Sequence, residues 1–181
     1  MTTFTTEDRE VAERKPIIYL DMDDVVADWM KAARDIVNRN WDYGERIPEK
    51  DWSKVKAKER FYRDLPLKAR AHELVDYCKS AVEKGQASDL RFLTALPHDY
   101  SVPFASYDKI YWASKHFPDI PVLFGPFSHD KYKHCKPGDI LIDDRHSNCA
   151  EWRAAGGHAH EYRNWKDCKP WLDSILTNNS F

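Results

Sequence analysis

The chain has 181 residues, of which 42% are hydrophobic and 32% charged, with a formal net charge of −2 and seven Trp among its 13% aromatics. That size and aromatic content describe one globular domain with its own core and exclude a disordered chain. The near-zero charge excludes wholesale electrostatic binding of nucleic acid, and no apolar run approaches the roughly 20 residues that span a bilayer.

Residues 1–15 read as a polar tail, with a short helix opened by Thr5 and Asp8 three residues on. The tail has neither the basic start nor the apolar stretch of a signal peptide, so a cytoplasmic protein is expected. After Pro16, the apolar run 17–20 suits a buried strand. Trp29, Met30, Ala33, Ile36 and Val37 fall at helical spacing over 28–40. Residues 41–66 have no clear period but hold Trp41, Tyr43, Trp52, Phe61 and Tyr62. A second helix, 67–84, carries Leu67, Ala71, Leu74, Val75 and Cys78 on one face, and Gly85 ends it.

Short apolar runs then alternate with helical segments. The pattern predicts strands at 90–94, 120–124 and 140–142 and an edge strand at 158–162. Helices are predicted at 107–117, 128–135, 148–155 and 170–177, with a turn at Pro137-Gly138. Such an order predicts an α/β fold, a Rossmann-like parallel sheet with helices on both faces. The four cysteines, Cys78, Cys135, Cys149 and Cys168, lack CxxC spacing, so free thiols are expected rather than disulfides or a zinc site with His134. His158 and His160 alternate on the last strand and read as surface or packing residues.

The stretch 50–70 has eight basic residues (Lys50, Lys54, Lys56, Lys58, Arg60, Arg63, Lys68, Arg70) against three acidic ones, interleaved with Trp52, Phe61 and Tyr62. It is either a solvated face over core aromatics or an insert offering charge and stacking rings to an anionic, aromatic ligand such as a nucleotide.

Parallel sheets bind ligands at the carboxyl ends of their strands. Here strand 17–20 runs into Asp21-Met22-Asp23-Asp24, strand 90–94 ends in Thr94, and strand 140–142 ends in Asp143-Asp144. Carboxylates crowded at one edge repel and raise each other's pKa, a conflict that a hard divalent cation such as Mg²⁺ resolves. Asp21 and Asp23, two apart in extended chain, point the same way. One can attack phosphorus while the other donates a proton to the leaving oxygen and later takes one from water. Asp24-Val25-Val26 is read as opening a helix whose N-terminal amides hold phosphate. A lysine is also required, with Lys131 preferred, Lys133 second, and Lys136 beside the Pro-Gly turn third.

In this order, Asp21-Met22-Asp23-Asp24-Val25-Val26-Ala27-Asp28, Thr94, a Lys and Leu141-Ile142-Asp143-Asp144-Arg145 resemble the four motifs of the haloacid dehalogenase superfamily of phosphatases. More narrowly, the chain is similar to the 5′(3′)-deoxyribonucleotidase branch, whose first and last motifs read DMDGVLAD and LIDDR. The resemblance covers about 16–165. It implies a phosphatase core (16–28 and 86–181) with a helical cap inserted after the first strand (29–85). Mg²⁺ would be held by Asp21, Asp144 and the carbonyl of Asp23, with Asp143 acting through a water and pairing with the Lys.

Asp21 would be the nucleophile and Asp23 the general acid and base. Thr94, Ala95, the Lys and Asp24 would surround the phosphate. Trp29 would contact the substrate base, with Trp52, Phe61 and Tyr62 as further candidates. Asp24 departs from the branch, where Gly is usual, and Asn148 is read as a structural tie. The implied substrate is a small-molecule nucleotide, with no stable nucleic-acid complex and no membrane. A homodimer is left open. Another small phosphate ester or a nucleic-acid phosphate end is the alternative substrate. A receiver-like module accepting phosphate on Asp is the alternative class, but such a module needs neither Asp23 nor a large insert.

Overall fold

The computed structural model describes residues 14–42, 45–98 and 101–177; the helix expected from Thr5 lies outside them. Five strands form one parallel sheet: β1 (Ile17–Leu20), β2 (Asp89–Thr94), β3 (Val122–Phe124), β4 (Ile140–Asp143) and β5 (His158–Glu161). They lie in the order β3-β2-β1-β4-β5. The central strands β1 and β4 are near-continuous apolar runs, as a sheet covered on both faces requires, while β2 carries Arg91, paired with Asp89 at 2.7 Å.

Side chains alternate across the sheet. Ile18, Leu20, Phe92, Ile140 and Ile142 share a core with buried residues of α3 (Ala71–Glu83), α4 (Ala105–His116) and α6 (Trp165–Thr177). Tyr19, Leu93, Leu141 and Ala159 share the opposite one with Cys149 and Trp152 of α5 (His146–Ala154). Trp152 meets Tyr19 edge-on and donates its indole N–H to the Asp139 carbonyl at 3.0 Å. The expected fold class is borne out. The four cysteines are free thiols, and His160 packs against Trp171.

Between β1 and α3 the chain forms a helical insert: α1 (Trp29–Val37), α2 (Glu49–Ala57) and a 3₁₀ turn, Phe61–Asp64. No period was legible over 41–66, because α2 buries only Asp51 and Val55, too short a stripe to recur. The helix expected at 67–84 starts later, at Ala71, after the left-handed Arg70. Leu67 bridges Ala27 instead, and Lys68 N–H donates to the Val26 carbonyl at 2.8 Å. The two connections to the insert therefore run side by side. Since α3 packs on β2 and α6, it belongs with the sheet, which corrects the expectation that the insert extends to 85. The last helix begins at Trp165 rather than 170, because the Asn164 side chain accepts the Asp167 N–H at 3.0 Å and starts it a turn earlier.

Gly157 leaves no room for a side chain. A Cβ there would sit 2.3 Å from the Trp152 indole nitrogen and 2.7 Å from the Cys135 sulfur. Gly157→Ala is expected to cost about 1–3 kcal/mol through overpacking, read as a lower denaturant midpoint at unchanged slope; an unchanged midpoint would contradict this packing.

Candidate active site

The sheet order reverses direction between β1 and β4, and their carboxyl ends open a crevice there. Asp21 leaves β1 with its N–H bonded to the Ile142 carbonyl at 2.9 Å, and one of its carboxylate oxygens accepts the Met22 N–H at 2.8 Å. The chain then turns through Asp24, at φ +60°. Asp tolerates this left-handed geometry better than most residues. The N–H groups of Val25, Val26 and Ala27 all reach the Met22 carbonyl, at 3.3, 3.0 and 2.9 Å. That of Asp24 donates to Ala27 at 2.7 Å. No helix opens there, so the expectation that these amides hold phosphate is corrected: each is spent closing the turn. The Asp24 carboxylate accepts the Met30 N–H at 2.9 Å and lies 3.8 Å from the Lys68 ammonium.

The 3₁₀ helix Ser128–His134 delivers Lys131 to the crevice. Its side chain is 2% exposed, and its ammonium lies 2.8 Å from Asp21 and 2.7 Å from Asp143. Lys133 instead pairs with Asp130 at 2.6 Å with its side chain exposed, and Lys136 is exposed beside the turn. Both Asp143 oxygens are engaged: Asn148 donates to them at 3.1 and 3.0 Å, Arg145 N–H to one at 2.9 Å, Lys131 to the other. Asn148 is thus the tie that its position suggested.

Asp21, Asp143 and Asp144 each offer an oxygen within 4.8 Å of the others. Burial, then Asp21, Asp143 and Asp24, push the Asp144 carboxyl well above its ordinary range. Burial first, then Asp21, also pushes Asp143 up against the pull of Lys131. Burial works against the Lys131 ammonium, but Asp143 and Asp21 outweigh it and hold the pKa above the usual lysine value. One cation among this much negative charge leaves an excess, and an all-oxygen set fits a hard divalent cation. With Asp143 saturated, Asp21 and Asp144 are the carboxylates best able to ligate it.

Asp23 and Thr94 stand at the same edge, joined by a residue that sequence reasoning missed. Lys109 of α4 is 1% exposed; its ammonium lies 2.7 Å from Asp23 and 2.9 Å from Thr94. The signal for it was present. Ala105, Asp108, Lys109, Trp112 and Ala113 form one buried stripe at helical spacing, so Lys109 sits where an apolar residue is expected.

A cavity of about 940 Å³ opens above these groups. Asp21, Asp23, Asp24, Ala95, Lys131 and Asp144 line it, as do Trp29, Trp52 and Tyr62. Trp29 and Trp52 lie 6.1 Å apart. Phe61 does not line the cavity; it is buried and meets Trp29 edge-on at 5.8 Å, which corrects its reading as a base contact. Of the basic stretch only Lys56 reaches the cavity, 5.7 Å from the Trp52 ring centre. Arg60, Arg63 and Arg70 are spent on Asp108, Asp64 and Glu73.

Residues 15–169 match the family described as 5′ nucleotidase, deoxy (Pyrimidine), cytosolic type C protein. No curated protein matches the sequence. Among solved structures, a hydrolase from Streptococcus pneumoniae TIGR4 gives a TM-score of 0.54 at 13% identity, covering 88% of this chain and 99% of that one. A Thermotoga maritima structure assigned as a beta-phosphoglucomutase gives 0.38 at 16% identity, covering 90% of this chain and 97% of that one, so the likeness of fold rests on the first.

Burial, opposed by the Met30 N–H and Lys68, raises the Asp24 carboxyl from 3.8 to about 6. The folded protein then keeps a proton that the unfolded chain has lost, so this group destabilises the fold progressively as pH rises from about 4 to about 6. In metal-free buffer Asp24→Asn is expected to exceed wild type in stability above pH 6 by up to about 3 kcal/mol, with the gap closing below pH 4. Thermal unfolding across that range checks it; a gap independent of pH would contradict it.

Proposed function

The chain belongs to the 5′ nucleotidase, deoxy (Pyrimidine), cytosolic type C family, and we propose that it hydrolyses (deoxy)nucleoside monophosphates to nucleoside and phosphate. The observation that carries this reading is the juxtaposition of Asp21, bound to buried Lys131, with Asp23 at the floor of an aromatic-lined cavity, and with buried Thr94 behind them, tied to Asp23 through Lys109. A cytosolic location goes with the family's description. The insert, taken as 29–66, serves as the cap, and its Trp29, Trp52 and Tyr62 face the nucleobase.

In the proposed reaction an Asp21 carboxylate oxygen attacks phosphorus. The bond from phosphorus to the sugar oxygen breaks, its electron pair leaves on that oxygen, and the Asp23 carboxyl supplies the proton. Water then attacks the aspartyl-phosphate, Asp23 takes the proton, and Asp21 departs as carboxylate. The Thr94 hydroxyl, the Ala95 amide and Lys131 hold the phosphoryl oxygens throughout. Asp24 drops out of this set, since its amide and carboxylate are engaged within the first turn and at the start of α1. Mg²⁺, held by Asp21, Asp144 and the Asp23 carbonyl with Asp143 behind a water, would neutralise the carboxylates and the charge developing on the phosphoryl group.

Other small phosphate esters and nucleic-acid ends fit less well. Two indoles beside the cavity suit a planar base, and an insert across the crevice suits a mononucleotide rather than a polymer. Phosphate release from deoxy- and ribonucleoside 5′- and 3′-monophosphates and sugar phosphates tests the reading. Turnover is expected on nucleotides, lost with chelator, and reduced about 1,000-fold or more by Asp21→Asn. Sugar phosphates as the better substrates would overturn it. Trp29→Ala is expected to raise KM for nucleotides about tenfold while kcat changes little, as lost base stacking should; an unchanged KM would remove Trp29 from the base site.

A further inference from the structure

Burying an ammonium costs stability that an apolar side chain would not, and the helix face around Lys109 is core. The contacts made by this ammonium are specific. A lysine is a donor only, and here it reaches Oδ2 of Asp23 at 2.7 Å and Oγ1 of Thr94 at 2.9 Å. The Tyr62 ring of the insert lies 4.6 Å away, as a cation–π partner. The helix is fixed where this contact needs it: Arg60 pairs with Asp108, and the Trp112 indole donates to the Leu65 carbonyl at 2.7 Å.

Two consequences follow from donor and acceptor counting. The Thr94 hydroxyl has one proton, and because its oxygen accepts from Lys109 that proton is left to donate elsewhere. Asp23 has one oxygen held by Lys109, while its Oδ1 is buried and has no hydrogen-bond partner among the described residues. We propose that Lys109 is a positioning residue of the hydrolysis: it fixes Asp23 so that Oδ1 exchanges the proton with the leaving oxygen, and it turns the Thr94 O–H toward the phosphoryl group. The proposal rests on the phosphatase reading above and adds to it a residue outside the four motifs.

The test uses the full chain with Mg²⁺, a nucleoside monophosphate that wild type hydrolyses, and p-nitrophenyl phosphate. The phenolate leaves without a proton, whereas the sugar alkoxide needs one. The ratio kcat/KM reports only the steps up to phosphoryl transfer, which separates the two. Lys109→Met is expected to lower kcat/KM on the nucleotide about 100-fold and on p-nitrophenyl phosphate at least about tenfold less. In an Asp23→Asn background the same substitution should cost no more on the nucleotide than it costs on p-nitrophenyl phosphate, because only the share that runs through Thr94 remains. Equal losses on both substrates, additive losses in the double variant, or nucleotide activity within about twofold of wild type would each overturn the proposal. Where Lys109→Met does not fold, Lys109→Gln, which keeps an amide donor without the charge, is read by the same ratio. Failure of both to fold would make the lysine a folding element and overturn the proposal. A wild type that hydrolyses neither ester would sink the phosphatase reading, and this inference with it.

Discussion

Carboxylates gathered at one sheet edge repel one another, and the buried ammonium of Lys131 is the interaction that lets this fold hold them. It touches Asp21 from β1 and Asp143 from β4, the two strands between which the crevice opens. Removing one partner from such a buried cluster leaves uncompensated charge, at a cost of about 3–5 kcal/mol. The neighbouring groups are arranged around the same need. Asn148 and the Arg145 N–H saturate Asp143, and the first turn closes on the Met22 carbonyl so that Asp21 leaves the strand in a fixed direction. Burial and the acidic neighbours resist a bare negative charge at Asp144, a conflict that a bound cation would relieve.

A second ammonium divides the work. Lys131 serves the carboxylates of the central strands, and Lys109 serves the pair Asp23 and Thr94. Each is buried, and each arrives on a helical segment that the sheet's connections place over the strand ends. The insert is joined to the second of them through Arg60, Tyr62 and Leu65, at successive positions of one face of α4. The insert and the edge that carries Asp23 and Thr94 are thereby held by a common helix.

Much of this was legible in the sequence, for a physical reason. Buried parallel strands are unbroken apolar runs, so the residues that end them stand out, and Asp21, Asp23, Thr94, Asp143 and Asp144 were found that way. What escaped depends on tertiary contact. Lys109 looks like any charged residue on a helix until Arg60, Tyr62 and Leu65 of the insert are seen packed on the face it shares with Asp108 and Trp112. Asp24-Val25-Val26 suggests a helix start until the acceptors of its amides, the Ala27 carbonyl for the first and the Met22 carbonyl for the others, are seen. Leu67 fits the periodicity of the helix after it, yet Arg70 takes a left-handed conformation and Leu67 pairs with Ala27. Phe61 reads as one more aromatic of the insert, and only packing against Trp29 turns it away from the cavity.

The most direct test of the central claim, that Asp21 beside Lys131 is the phosphoryl acceptor, is rapid acid quenching of a turnover with phosphate-labelled nucleotide. The account predicts label on the protein within the first turnover, lost in hydroxylamine and mapped by peptide mass to Asp21. Phosphate released at the full rate with no labelled protein at any time, or label on another residue, would contradict it.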